Sequence, residues 1–383
     1  MKEVKNILIA CNGYPPFTKV MVEAFLKAGV SVTVIGPQSL TKHFVRHVPL
    51  VPKYTEEKRA NGAILRVYRP YTISLGRRFE KQNLQILKRT VNKCAKSLSI
   101  KPDICLGEFW HWTYTIYPYA KKNTIPLFCQ TGEQINLDEL VEKEDLDRFC
   151  DYLSGVISVS TRNINISIDK GLLKVSCPSI MLPNGVDDNF KVKKKSELRQ
   201  KHNITTDDFI IAFVGWYSVN KGLGKLCDAI NLLNDDSIKA FFIGDPQPGS
   251  DFKPNCKGIL HTGNVSHENI SEYLNMADVF VLPTLMEGCS NAVIEALSCG
   301  LPVISSDRDF NWDVCTKENS ILVDPLNAEE IAAAIRILKD SPELRSEMSK
   351  AALEAAKSLS IDVRVKKILE FVNNILSDNR ERV

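Results

Sequence analysis

Short apolar runs rich in Val, Ile and Phe alternate with stretches of helical spacing along the whole chain. In the first half the runs lie at 5–11, 31–35, 64–68, 104–107, 126–129 and 155–159. The second half starts again at 209–214, 240–243, 258–262, 279–283, 302–305 and 321–323. This alternation predicts an α/β protein, with parallel sheets covered by helices. Between the two sets, Leu182-Pro183-Asn184-Gly185-Val186-Asp187 reads as a turn, and the charged stretch 191–202 reads as a linker. Near the end, Val365, Ile368, Leu369, Val372, Ile375 and Leu376 recur at helical spacing, so a terminal helix must bury one face.

Composition agrees with two domains. A chain of 383 residues exceeds one ordinary core, and 44% hydrophobic with 25% charged residues is the balance of a folded globular protein. No run of about eighteen apolar residues marks a helical membrane span. The opening segment reads as a first strand followed by the turn Asn12–Pro16, not as a signal peptide, so a cytoplasmic protein is expected. Eleven cysteines, an odd number without a Cys-x-x-Cys or Cys/His cluster, read as reduced thiols with no zinc. The net charge of +3 hides an asymmetry: residues 42–101 hold fifteen Lys or Arg against Glu56, Glu57 and Glu80. Such a segment attracts an anionic membrane surface, the plain alternative being a solvated basic face.

The sharpest chemical signal runs from 279 to 305. A buried strand ends near Pro283, a polar turn carries Glu287-Gly288-Cys289-Ser290, a helix starts at about Asn291, and Gly300 and Pro302 end it. A helix start of this kind binds phosphate through backbone amides. Glu287 in the turn can reach sugar hydroxyls, while Glu295 inside the helix can accept hydrogen bonds from a ribose diol. A capped helix with two solvated glutamates is the bland alternative.

Glu287 and Glu295, with seven residues between them, followed by Ala-Leu-Ser-Cys-Gly-Leu-Pro-Val, resemble the Glu-x7-Glu signature of family 4 retaining glycosyltransferases. Pro183-Asn184-Gly185-Val186-Asp187 with Phe190 is similar to the hinge-side motif of that family. Phe213-Val214-Gly215 through Lys221-Gly222 is similar to its diphosphate strand and turn, and Asp324-Pro325 also fits. The resemblance implies a GT-B fold: two Rossmann-like, doubly wound domains (1–184 for the acceptor, 185–360 for the donor) facing a cleft, with a C-terminal helix, 361–383, packing back toward the first domain. It further implies that Glu287, Lys221 and His111 are catalytic. Donor contacts are implied for Gly215, Trp216, Lys221, Gly263, Val265, Gly288, Cys289, Ser290, Asn291 and Glu295. His111 is expected at the carboxyl end of its strand, as in the glycogen-synthase relatives of the family, against a donor-sugar hydroxyl.

The expected activity is metal-independent retaining transfer of a hexose or N-acetylhexosamine from a UDP- or GDP-sugar, with no other cofactor. The acceptor is expected to be lipid-linked or an oligosaccharide of a cell-surface polysaccharide, met by a protein peripheral on the inner face of the plasma membrane. Nucleic acid is not an expected partner. Three departures bear on activity: Trp216 stands where the family has arginine, Thr18-Lys19 where it has a glycine pair, and no histidine lies near Thr131, where Glu133 is the nearest polar candidate. Lys225 or Arg308 could replace the arginine, and Lys19 could supply charge in place of an amide. A GT-B sugar-nucleotide epimerase and a non-catalytic donor-binding subunit are the alternatives.

Overall fold

A computed structural model describes residues 3–132, 136–204 and 208–381, with side chains through Asp378. Glu133 lies outside the described residues. The chain divides into two compact units, 1–182 with 361–383, and 183–360.

The first unit is built on an eight-stranded sheet in the order Ser179–Met181, Leu153–Ser158, Leu127–Thr131, Ile104–Glu108, Asn6–Ala10, Ser31–Ile35, Ile64–Tyr68, Tyr54–Lys58. All neighbours pair in parallel except the last, an antiparallel edge strand of mostly exposed charged residues. Pattern reading passes over Tyr54–Lys58 because it has no buried face to impose a hydrophobic period. Parallel strands covered on both sides read as continuous apolar runs, and Ile104–Glu108 and Leu127–Thr131 are buried at every position.

The terminal helix Ile361–Glu381 closes one side of this sheet. Val365, Ile368 and Val372 are buried, and Phe371 meets Phe128 edge-on with ring centroids 6.4 Å apart. Arg364, also buried, donates to the Leu182 carbonyl, tying the helix to the end of the segment that leaves the unit.

The second unit holds six parallel strands in the order Ile259–Gly263, Ile238–Ile243, Phe209–Val214, Val279–Leu282, Val303–Ser306, Ser320–Val323. Counted along the chain, that order is 3-2-1-4-5-6, so strand connectivity reverses between Phe209–Val214 and Val279–Leu282. A doubly wound sheet leaves a crevice at the carboxyl ends of such a pair.

The stretch 191–202, expected as a linker, instead contributes a helix, Lys195–Lys201, to this second unit. Its Arg199 is 4% exposed and donates to Asp278 at 2.7 Å, to the Met276 carbonyl at 2.9 Å and to the Asp208 carbonyl at 3.1 Å. A buried guanidinium needs all of these acceptors, and Met276 and Asp278 come from a segment distant in sequence.

Candidate active site

In the second unit the two loops at the switch point are stitched together by backbone. The Asn220 carbonyl accepts from Leu285 N–H at 2.7 Å and from the Thr284 hydroxyl at 3.0 Å. Gly222, with φ +70°, is the tightest point: a Cβ there would lie 1.9 Å from the Pro283 carbonyl oxygen. Only glycine permits both that φ and that approach. Ser218 turns the first loop by accepting from the Lys221 N–H at 3.3 Å.

This stitching brings Lys221 and Glu287, 66 residues apart in sequence, into a direct ion pair. Both side chains are mostly buried, and the lysine stem lies over Gly215. Two helices start at the same crevice, Leu223–Leu233 and Asn291–Ser298, and neither has a side chain capping its first turn. Their amide ends carry partial positive charge. Lys221, Gly215, Glu287, Gly288, Cys289, Ser290 and Asn291 are thus gathered on loops at the carboxyl ends of two adjacent strands.

Glu295 lies in the next turn of the second helix, 7% exposed, and receives His267 Nε2 at 3.3 Å. Burial raises its carboxyl above the ordinary glutamate range, and the His267 hydrogen bond opposes that rise. The same contact raises His267. Asn184 donates to Asn291 Oδ1 at 2.8 Å, which anchors the start of the helix to the hinge-side motif. Gly263 ends its strand with φ +124° and open space on its Cα, and half-buried Val265 follows it. Trp216 is half-exposed. Of the residues considered as substitutes for an arginine there, Arg308 stands 3.7 Å from Asp324, and Lys225 lies half-buried in the first turn of Leu223–Leu233.

Sequence reasoning missed Tyr217. Its hydroxyl donates to the Phe242 carbonyl at 2.6 Å and accepts from Gly263 N–H at 2.8 Å, joining two strand ends beside the crevice. A tyrosine directly after the Gly215-Trp216 turn is the only sequence clue, and its partners are unreadable without the fold.

In the first unit the order of strands reverses between Ile104–Glu108 and Asn6–Ala10. The strand ends at Glu108, so His111 does not sit at its carboxyl end: it lies in the first turn of the helix Phe109–Lys122. There it is half-buried, and burial holds it below the ordinary histidine range against the opposing pull of Glu80 and Asn136.

The residue at the strand end is Glu108, 1% exposed, with neither carboxyl oxygen hydrogen-bonded among the described residues. Burial pushes its carboxyl up to about 8, so it is largely protonated at neutral pH. Thr18 is close enough to offset part of that rise but lies outside hydrogen-bonding geometry, and Gln130, across from Glu108 on the neighbouring strand, has a buried Oε1 with no partner among the described residues. The backbone here is strained: Phe109 has φ 61°, and a Cβ on Gly107 would lie 2.2 Å from Thr113 Cα. The sequence signal for Glu108 was available, a lone acid ending an apolar strand. Lys19 lies on the exposed side of the first helix, 5.7 Å from the Tyr14 ring.

Comparison with known proteins now bears on this geometry. Residues 194–355 match the family model described as Glycosyl transferases group 1. The fold is GT-B. A sucrose-phosphate synthase from Thermosynechococcus elongatus superposes with a TM-score of 0.78 at 16% identity, over 98% of this chain and 100% of that one. An Anabaena protein, HepE, solved with UDP, superposes at 0.72 with 14% identity over 97% and 100%.

Among sequence relatives, a Bacillus subtilis protein provisionally named a teichuronic acid biosynthesis glycosyltransferase is 26% identical over 340 residues, 83% of each chain. A Campylobacter jejuni diacetylbacillosaminyl-diphospho-undecaprenol N-acetylgalactosaminyltransferase is 26% identical over 196 residues, 48% of this chain and 50% of that one. Together the family model, the relatives and the fold support a glycosyltransferase. Eleven cysteines are all free thiols, and no group of metal-binding side chains and no helix long and apolar enough to cross a membrane occurs among the described residues.

Proposed function

We propose that this protein is a retaining glycosyltransferase that moves a hexose or N-acetylhexosamine from a UDP- or GDP-sugar to a lipid-linked or oligosaccharide acceptor in cell-surface polysaccharide synthesis, peripheral to the inner face of the plasma membrane. The observation that carries the reading is the Lys221–Glu287 pair at the switch point, beside two helix starts with no side-chain cap. A diphosphate leaving group gains negative charge as the glycosidic bond breaks. Lys221 and the helix amides supply fixed positive charge where it develops, which is what lowers the barrier.

Glu287, held by Lys221, accepts from hydroxyls of the donor sugar, and Glu295 accepts from the ribose diol. The leaving phosphate oxygen takes the acceptor proton on the face of attack, so no protein nucleophile is required and the anomeric configuration is kept. In the first unit the neutral Glu108 carboxyl supplies a hydrogen bond to a substrate oxygen. Because Lys221 and the amides neutralise the diphosphate, turnover should persist in excess chelator. The names of the relatives, one provisionally a teichuronic acid enzyme and one an undecaprenol-linked sugar transferase, favour the acceptor class.

The test is a thermal-shift screen of UDP-, GDP- and ADP-sugars on the full chain, its Lys221→Ala and its Glu287→Gln variants. At a ligand concentration about a hundred times Kd the native protein should gain about 2.7 kcal/mol, and Lys221→Ala should lose most of that shift. No shift with any nucleotide sugar would refute the donor site. NMR of the anomeric proton in the product decides retention, and isomerised donor formed without acceptor would replace transfer by epimerisation.

A further inference from the structure

Residues 40–79 combine two features that rarely share a surface. The helix Leu40–Arg46 buries none of its residues, and Phe44 and Val45 are each 71% exposed. Val48, Ile73, Leu75 and Phe79 are each about half-exposed. Six such side chains amount to roughly 500 Å² of apolar surface, near the upper end of what a monomer leaves open.

Hydrogen bonds tie these segments together. Thr41 and Ser74 exchange a reciprocal pair at 3.0 Å, Gln38 exchanges another with Val51 at 2.9 and 3.0 Å, and Gln38–Ser39 pairs as a short strand with Tyr71–Thr72. Asn83 fixes the following strap through Leu75 N–H and the Gly76 carbonyl, at 2.8 and 2.9 Å.

The structure also sorts the positive charge. Arg59 is spent on Glu23 and Glu57, Arg66 on Glu56, and Lys88 is half-buried over the Tyr114 ring. Exposed Lys42, Arg46, Arg77 and Arg78 form no ion pair among the described residues, and they flank the apolar tips in sequence, with the acids Glu80 and Glu142, the latter 3.8 Å from Lys81, at the margin. A protein interface depletes charge at its centre, and a second copy of this chain would set these cations against themselves. Apolar tips interleaved with unpaired cations match the headgroup layer of an anionic bilayer.

We propose that this face docks on an anionic membrane by insertion, with Phe44, Val45 and Phe79 entering the headgroup layer while Lys42, Arg46, Arg77 and Arg78 meet lipid phosphates. Charge recruits the protein and the apolar tips retain it. The proposal deepens the peripheral membrane placement proposed above and rests on it, but stands apart from the catalytic reading, because binding is measured without any substrate.

The experiment uses the full chain with vesicles of phosphatidylcholine alone or mixed with phosphatidylglycerol. A Phe44→Trp variant should blue-shift and be quenched by brominated lipid on the anionic vesicles, beyond the change of the parent protein. Binding should survive in part at about 0.5 M NaCl, where charge-only adsorption is screened. A Phe44→Ser/Val45→Ser variant, altered only at exposed sites, should bind roughly tenfold more weakly and lose the salt-resistant fraction. The proposal fails if the tryptophan at 44 stays in water, or if the double serine variant sediments like the parent. It also fails if ultracentrifugation shows a dimer that this variant abolishes, which would make the face a contact between copies.

Discussion

Replacing Glu108 by glutamine should make the protein more stable, and by an amount that depends on pH. In the folded chain the carboxyl is pushed from the ordinary 4.5 up to about 8 by burial, so folding takes up a proton at pH values between the two. Below about pH 4.5 both states are protonated and the carboxyl exerts no pH-dependent effect. Between 4.5 and 8 the parent loses about 1.4 kcal/mol for each pH unit of rise, and above 8 the loss levels off at about 5 kcal/mol.

Glutamine has nearly the same shape and leaves buried polar atoms as well, so the pH-independent cost largely cancels in the difference. The assay is thermal or urea unfolding of both proteins from pH 4.5 to 8.5, with their difference plotted against pH. The curves should meet at the acid end and diverge upward, reaching a melting-point gap on the order of 10 °C at pH 8. All other titrating groups are shared and drop out. A difference that is flat with pH, or a parent that gains on the variant as pH rises, would show that Glu108 is ionised or paired in the native state.

Two further outcomes follow from the second unit. His267→Ala removes the group that opposes the burial-driven rise of Glu295, so ribose binding should weaken, and more so as pH falls. The loss should be about 1 kcal/mol, roughly fivefold in Kd, because the half-exposed histidine is screened by solvent; calorimetric titrations with UDP across pH 6 to about 8.5 that superpose for parent and variant would contradict it. Gly222→Ala meets both a left-handed φ and the Pro283 carbonyl, whereas Gly263→Ala meets only the φ. The first should cost at least about 2 kcal/mol and the second about 1, read as melting-point shifts, and equal costs would refute the close approach.

Much of the site was legible in local sequence. The turn Glu287-Gly288-Cys289-Ser290 before an apolar helix, and the Gly215 to Gly222 turn after an apolar strand, specify their own backbone through glycine, capping and periodicity. Tyr54–Lys58 and the helix Lys195–Lys201 were not legible: the edge strand has no buried face to impose a period, and the mostly exposed helix is held by Arg199 reaching Asp278, far along the chain. The same holds for the basic run 42–101: its charge was countable, but which cations are spent on Glu23, Glu56 and Glu57 was not.

By itself the sequence determined the alternation of strands and helices, the two large sheets, the turns that carry Lys221 and Glu287, and the helix that carries Glu295, since each depends on propensity and period within a few residues. Tertiary structure decided that Lys221 touches Glu287, that Glu108 and not His111 ends its strand, and that Phe44 and Val45 stay in solvent. Burial and charge pairing are set by segments distant in the chain, and local pattern carries no record of which of those segments will meet.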